Sequence, residues 1–462
     1  MSKRYVELER IGAEKFRVAS VSESAVMPKD PLIRPAPARF RDFELIDMVL
    51  DRGEWRLARK AEARKPREAE PAARPRSPIF EPQAKNANYP ELLLSGIGHN
   101  RTGYAKLARE VLCRIGNQFR VRFNCLERNA PITLDEYAYG RTRAFESVKI
   151  AANAVHLRIA APSLEPAGAR KKIIFTMFES ETMHPHFMGL LTSVYGECWV
   201  PTRWNKQVFR TAGARLPIHV MPLGVDPLVY RPMPKRELPE CRLLTGPRAG
   251  KMERPTGKIF LSCGVTSFRK GFDVACRAFE QTFANDPEAA LVLATTWHNI
   301  DVDKYVKPYA RKSRVYQLTG NWSESDLAGI FASCDCYVAC SLGEGWDLPL
   351  VEAAACGLPV IAGRYTGHLE YCTDENSFLF DSEDTRAHPD GGTVSPWYVG
   401  VQFHHLGDKS VAQLAALMKR VREDPDEAAK RAKILTGTIR RKYTWDRLAA
   451  QVAERLNAVC AE

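Results

Sequence analysis

Residues 343–370 read GEGWDLPLVEAAACGLPVIAGRYTGHLE, and the rest of the chain is organised around them. The pattern is a short loop, a helix entered at Pro349 and stopped at Gly357, an apolar strand from Leu358 to Ala362, and a second glycine turn that carries Glu370. Proline suits the first helical position because the N–H it lacks has no partner there, and glycine after the last turn takes the left-handed backbone that closes a helix. The loop before Pro349 therefore presents free amides backed by the positive end of the helix dipole, a ready site for a phosphate or another anion. Glu344 stands in that loop and Glu352 lies a turn into the helix. Spacing alone leaves two readings open: both acids face a ligand, or Glu344 is a solvated loop acid and Glu352 only favours the helix start.

The stretch as a whole resembles the donor-binding motif of the retaining glycosyltransferases of family 4, a Glu, seven residues and a second Glu within EGxxLPxxEAxACGxPV. The resemblance implies an α/β protein of the GT-B type, with two Rossmann-like domains facing a central cleft. It implies that Glu344 approaches the donor sugar, Glu352 holds the nucleotide ribose, and the backbone of Gly345, Trp346, Asp347 and Leu348 cradles sugar and diphosphate. Asp347 departs from the commonest pattern, which has glycine there, so the loop is shaped or charged differently beside the donor.

Upstream, KIFLSC (258–263) reads as a strand, followed by GVTSFRKGFDVACRAFEQTF with Ala275, Ala278, Phe279 and Phe283 on one helical face. Arg269 and Lys270 stand at the strand-to-helix turn. A solvated basic pair is the plain reading, and paired cations there can also neutralise a diphosphate leaving group. In the resemblance Lys270, just before Gly271, matches the diphosphate lysine. The arginine expected just after the first glycine is missing, because Val265 follows Gly264, and Arg269 is expected to take its place. The loop Thr319 to Trp322 corresponds to the nucleobase side, which makes Thr319 and Asn321 expected base contacts. Ser323 and Asp326 fit a capping box loosely.

Further upstream, Leu92 to Leu94 form a short apolar strand before SGIGHNRTGYAKLAREVL, a glycine turn and a helix. Such a turn alone is a weak signal. In the resemblance it is the cleft-facing first loop of the N-terminal domain, so Gly98, His99, Asn100, Arg101 and Gly103 are expected on the acceptor side or near the donor phosphate. KKIIFTMFESETMHPHF reads as a buried strand running into a polar loop, and ligands collect at the carboxyl ends of strands in parallel sheets. Glu179, Ser180, His184 and His186 are thus candidates for acceptor contact or proton traffic, with ordinary surface histidines as the equal alternative.

The expected domains are a Pro-rich basic extension (1–88), an acceptor-side domain (89–235), a linker or insertion (236–257), a nucleotide-sugar domain (258–440) and a terminal helix crossing back (441–462). Within the extension, Phe40 to Lys65 reads as one helix with Phe43, Ile46, Val49 and Leu50 on a face; it packs on the body, stays partly disordered, or makes a basic peripheral membrane contact. The chain has 462 residues, ample for two or three domains, and ordinary apolar and charged fractions. No run is long and apolar enough to span a bilayer and MSKRYVELER is too charged for a signal peptide, which points to the cytoplasm.

The net charge is +12, and the first 90 residues hold 19 Lys+Arg against 14 Asp+Glu. That thin spread favours a generally basic surface suited to anionic ligands over a polyanion arm, and disfavours nucleic acid as a partner. Twelve scattered cysteines read as reduced thiols. In CDCYVAC, alternation on a strand places Cys334, Cys336 and Cys340 on the same side, as buried hydrophobes and not as metal ligands.

The expected reaction is retaining transfer of a sugar from a nucleoside-diphosphate sugar to a hydroxyl acceptor. Glu344, Lys270 and Arg269 carry it, and neither a metal nor another cofactor is expected. A sugar-nucleotide epimerase or phosphorylase on the same fold, and a binding module that has lost turnover, are the rival readings.

Overall fold

The structure, a computed structural model, describes residues 89–127, 136–165, 168–295, 301–391 and 395–462, together with strand segments at 3–10, 15–24, 33–35, 47–51 and 54–57. Two compact units divide at Ser77 and Pro78. The strand segments of the first unit form an antiparallel sheet in the order Ile33–Pro35, Lys3–Arg10, Lys15–Ser24, Asp47–Asp51, Glu54–Leu57. This corrects the helix expected over Phe40 to Lys65. Met48 pairs with Leu57 and Leu50 with Trp55, so the apolar residues follow the two-residue period of a strand. Only Arg52 and Gly53 separate the paired ends Asp51 and Glu54, a hairpin spacing. Other expectations for this extension lie outside the described residues.

The second unit holds two parallel sheets. In chain order the strands of the first are Glu91–Gly96, Arg120–Cys125, Val155–Ile159, Lys172–Phe175, Glu197–Val200 and Ile218–Val220. Their spatial order is 2-1-3-4-5-6 with every pair parallel. The second sheet has Lys258–Gly264, Ala289–Thr295, Val315–Thr319, Cys336–Ala339, Val360–Gly363 and Phe378–Phe380 in the order 3-2-1-4-5-6. Its central strand, AALVLAT, is buried at every position, as a parallel strand covered on both faces must be.

Alternation along these strands sorts the core into two layers. Ile259, Leu261 and Cys263 join one apolar cluster and Phe260 the other, and both clusters draw residues from both sheets. Cys336 and Cys340 fall in one cluster and Cys334 in the other, which corrects the shared side expected for all three. Cys334 precedes the strand Cys336–Ala339, so strand alternation does not extend to it; its thiol bonds back to the Ile330 carbonyl. All twelve thiols are free.

Cys241–Leu243 and Met252–Glu253, within the stretch read as linker or insertion, add two antiparallel strands to the edge of the second sheet. The last helix, Trp445–Ala461, lies against the first sheet's domain. Arg455 there makes a two-pronged ion pair with the fully buried Glu197, and Arg114 Nε reaches Asp446 at 2.7 Å. No helix among the described residues is long and apolar enough to cross a membrane.

Candidate active site

In the order 3-2-1-4-5-6, the connections leaving strands 1 and 4 part to opposite faces and open a crevice at their carboxyl ends. Strand 1 ends at Gly264 and the chain turns through a short 3-10 segment, Phe268–Lys270. Gly271 closes that turn at φ +62°, where a Cβ would lie 2.0 Å from the Cys340 carbonyl oxygen, so no other residue fits. The turn is thereby pressed against the loop after strand 4. Lys270 lies across Gly264, its Cε 2.7 Å from where a Cβ would stand, and its Nζ reaches Glu344 Oε1 at 2.6 Å. Arg269 Nη1 lies 2.8 Å from the same oxygen and donates to the Gly343 carbonyl at 2.7 Å.

Glu344 is only 5% exposed. Burial works against its charge, but Arg269 and Lys270 overcome it and hold the carboxyl well below the usual range. Burial likewise disfavours the Lys270 cation, and Glu344 and Asp347 more than restore it. Glu344 and Lys270 are therefore ionised through the neutral range.

The helix expected to begin at Pro349 runs from Leu348 to Ala355 with proline in its first turn and Gly357, at φ +98°, just beyond its end. Asp347 precedes it in the left-handed region (φ 67°, ψ 74°) and makes no side-chain cap. Its Oδ2 lies 3.1 Å from Nε2 of His368, a residue with no exposure. Trp346 packs edge-on against Tyr371 and Tyr443. Ser323 and Asp326 do form a reciprocal capping box. Nearby, Thr319 is exposed, its hydroxyl 3.2 Å from that of Thr295, and Asn321 is exposed in the following loop.

Glu352 is buried too, but its cation comes from the other domain. Lys106, on the helix Gly103–Ile115, reaches Glu352 Oε1 at 2.7 Å, Glu324 Oε1 at 3.1 Å and the Tyr230 hydroxyl at 3.3 Å. Burial raises the Glu352 carboxyl and Lys106 opposes it; Lys106 itself, disfavoured by burial, is held protonated by the two acids. Burial pushes the Cys263 thiol, at the end of strand 1, up to about 12, Lys270 lowering it and Glu352 and Asp347 adding to the rise. Sequence reasoning missed Lys106. The helix is buried at every position from Ala105 to Cys113, and a lysine among Arg109, Glu110 and Arg114 looks like part of a solvated face.

The N-terminal residues expected in the cleft divide into those that reach the second domain and those tied within their own. Arg101 hydrogen bonds the Trp322 carbonyl, and a Cβ added at Gly103 would lie 3.5 Å from Leu348 Cδ1. His99 is turned to Glu146 at 2.8 Å, Asn100 to Glu127 at 2.6 Å, and Gly98 packs on Phe123. Ser180 is fully buried and bonds the Thr182 carbonyl.

Glu179 lies against Gly343, where a Cβ would come within 1.9 Å of the Glu179 carbonyl oxygen. Burial raises its carboxyl, Arg269 counters, and the Tyr398 hydroxyl donates to Oε2 at 2.6 Å. Glu370, at the end of the opening stretch, accepts from the Arg203 amide at 2.9 Å.

Tyr398 belongs to a strap that lies over the loop carrying Glu179. The strands Asp384–Ala387 and Gln402–His405 form a hairpin, and between them Trp397 and Tyr398 reach the loop 179–186. Trp397 stacks on His186 at 5.6 Å with rings 17° apart and meets His184 edge-on. The Gln402 carbonyl accepts from the Glu181 amide, and its amide donates to Thr182 Oγ1, both at 2.8 Å. His184 caps the helix Pro185–Val194, its Nδ1 accepting from the His186 amide. His404 and His405 diverge, one to Glu181 and the other to Arg386. No cluster of His, Cys, Asp and Glu able to hold a metal occurs among the described residues.

Residues 257–390, which include Lys270, Glu344, Asp347 and Glu352, match the family described as glycosyl transferases group 1. Over 158 residues, 32% of this chain, the sequence is 27% identical to mannosylfructose-phosphate synthase of Agrobacterium fabrum; the match spans about a third of that relative's length (33%). Solved structures of the same fold include Anabaena HepE in complex with UDP-glucose (TM-score 0.54, 13% identity, 80% of this chain and 99% of that one). Sucrose-phosphate synthase from Thermosynechococcus elongatus is similar too (TM-score 0.56, 14% identity, 80% and 99%). The two Rossmann-like domains of the second unit thus form a GT-B fold.

Proposed function

We propose that the protein is a retaining glycosyltransferase of family 4 that moves a sugar from a nucleoside-diphosphate sugar to a hydroxyl acceptor. The observation that carries this reading is the convergence of Lys270 and Arg269 on Glu344 beside the mouth of the helix Leu348–Ala355. As the bond from the anomeric carbon to the β-phosphate oxygen breaks, its electron pair goes to the phosphate. Two buried cations and the helix-mouth amides meet that growing charge where water is excluded. The acceptor oxygen bonds the anomeric carbon from the same side, and its proton passes to the departing phosphate. Glu344, kept as a carboxylate by its two cations, binds and polarises the sugar and is neither nucleophile nor proton shuttle. No metal or other cofactor is called for, since these cations do what a divalent ion does elsewhere.

The matched segment and the curated relative's name support sugar transfer. The pairing of Glu352 with Lys106 gives the ribose acid a partner from the opposite domain, so donor binding and domain approach are linked.

Replacing Glu344 with Gln tests the reading. Transfer is expected to fall by roughly 100- to 1,000-fold, the scale of removing one preorganised electrostatic group. The variant also carries a pH signature. The Glu344 carboxyl titrates well below the usual carboxylate range in the fold, so it contributes stability at higher pH that is lost as pH falls below that range through the folded value. Denaturant unfolding of Glu344→Gln should lack that acid slope. Thermal stabilisation by a panel of UDP-, GDP- and ADP-sugars identifies the donor, since a ligand at 100 times its Kd adds about 2.7 kcal/mol. Wild-type turnover in Glu344→Gln removes it from the mechanism.

A further inference from the structure

Three features single out Asp347 inside the charged cluster. It is a non-glycine residue in left-handed backbone (φ 67°) at a position where a side chain is strained. Its side chain is 1% exposed. And its two carboxylate oxygens are treated unequally: Oδ2 is held by His368 Nε2 at 3.1 Å, whereas Oδ1 has no hydrogen-bond partner among the described residues. The ordinary uses of such an aspartate are absent. It does not cap the helix that follows it. Lys270 Nζ stands 3.9 Å from Oδ1, but its close contact at 2.6 Å goes to Glu344.

A buried carboxylate oxygen without a donor is costly, and strained backbone is kept only where the surroundings enforce it. Asp347 has both, beside the lysine assigned to the diphosphate and immediately before the helix mouth. His368, entirely buried in the turn Thr366–Glu370, fixes one oxygen and leaves the other facing the Lys270 side. What Oδ1 lacks is a neutral hydrogen-bond donor, because a third cation would crowd Arg269 and Lys270. A sugar hydroxyl is such a donor, and a diphosphate, which has only acceptors, is not.

We propose that Asp347 selects the donor sugar: its free Oδ1 accepts a hydrogen bond from one hydroxyl of the hexose on a nucleoside diphosphate, while Lys270 holds the diphosphate beside it. This rests on the nucleotide-sugar reading of the same pocket and adds to it the residue that tells one sugar from its epimer. His368 is a positioning residue that aims the carboxylate.

Asp347→Gly tests the assignment because glycine adopts φ 67° freely, and the variant's melting temperature, measured beside the binding data, reports what losing the Asp347–His368 bond costs the fold. Binding of bare UDP, GDP and ADP is measured beside binding and hydrolysis of UDP-glucose, UDP-galactose, GDP-mannose and ADP-glucose. The diphosphate that binds wild type should bind Asp347→Gly equally or more tightly, since a negative charge beside the phosphates is gone. The advantage of the preferred sugar nucleotide over its bare diphosphate should fall about 10- to 100-fold, the worth of a hydrogen bond to a charged group, and discrimination between the sugars should fall with it. Asp347→Asn, which tolerates the same backbone, should shift the preference among sugars instead of abolishing it. An unchanged sugar-to-diphosphate ratio in Asp347→Gly overturns this inference alone. If none of the three diphosphates binds wild type, the pocket reading fails and the inference with it.

Discussion

The two Rossmann-like domains place charged groups at the cleft in different ways. In the second, Arg269, Lys270 and Glu344 are brought together by two adjacent strand ends of one sheet, each side chain a few residues from the strand that aims it. In the first, Lys106 and Glu179 are just as buried, yet each finds its partner in the opposite domain, in Glu352 and Tyr398. The difference separates a charged cluster that one domain builds alone from buried charges that are matched only once the domains and the strap are assembled.

Lys106→Ala breaks this comparison at its strongest point. Removing one member of a buried pair leaves an uncompensated charge, and the expected loss of stability is about 3–5 kcal/mol. The loss should depend on pH. Without the cation, burial and the Glu324 charge act on Glu352 against the Tyr230 hydroxyl alone and raise its carboxyl further above the usual range. A carboxyl raised in the fold favours folding at low pH, and that contribution disappears as pH rises through the folded value. Urea unfolding should therefore show a larger deficit at pH 8 than at pH 5. A deficit independent of pH means that Glu352 is not the partner that matters.

The same contrast explains what could be read from the chain. The order of strands and helices from Lys258 to Glu370 follows from local patterns, a buried strand, a glycine turn, a helix start, repeated at short range, whereas the meeting of Lys270 with Glu344 was an expectation of the resemblance. Glu352 is legible as a residue but not its tie to Lys106, which is 246 positions away and sits among charges that look solvated. The strap was illegible for a similar reason, since nothing in SPWYVGVQFHH says that its aromatics rest on 184–187. The hairpin at 47–57 was misread because a few apolar residues satisfy a helical period as readily as a two-residue one.

Tyr398→Phe sharpens the comparison from the acceptor side. It deletes one hydroxyl, at 2.6 Å from Glu179 Oε2, and leaves the ring packed against Phe178 and Phe403. The expected cost is about 1–2 kcal/mol, between an ordinary hydrogen bond and one to a fully charged group. Glu179 loses a bond that lowers its carboxyl, so its carboxyl moves further up. The acceptor KM should rise while stabilisation by the bare nucleoside diphosphate stays at the wild-type value. Equal damage to both would place Tyr398 in general packing and not on one side of the cleft.

The smallest effect is expected at His186, whose ring is exposed on one face and stacked on Trp397 with the other. His186→Ala removes that stacking, worth about 0.5 kcal/mol at the low end for an aromatic pair. It leaves the cap of the helix Pro185–Val194 in place, because the cap uses the backbone amide of residue 186 and Nδ1 of His184. The strap should then open roughly twice as often, since 0.5 kcal/mol is about a twofold change in an equilibrium constant. The Gln402 amide reports this directly: it is bonded to Thr182 Oγ1 only while the strap lies on the loop, so its hydrogen exchange should quicken about twofold. The amide of Lys270, within the donor-side turn, bonds the Ser267 carbonyl and should exchange as in wild type. Quickening at both would mean that the two sides of the cleft open as one unit, and the independence of the Arg269–Lys270–Glu344 cluster would have to be abandoned.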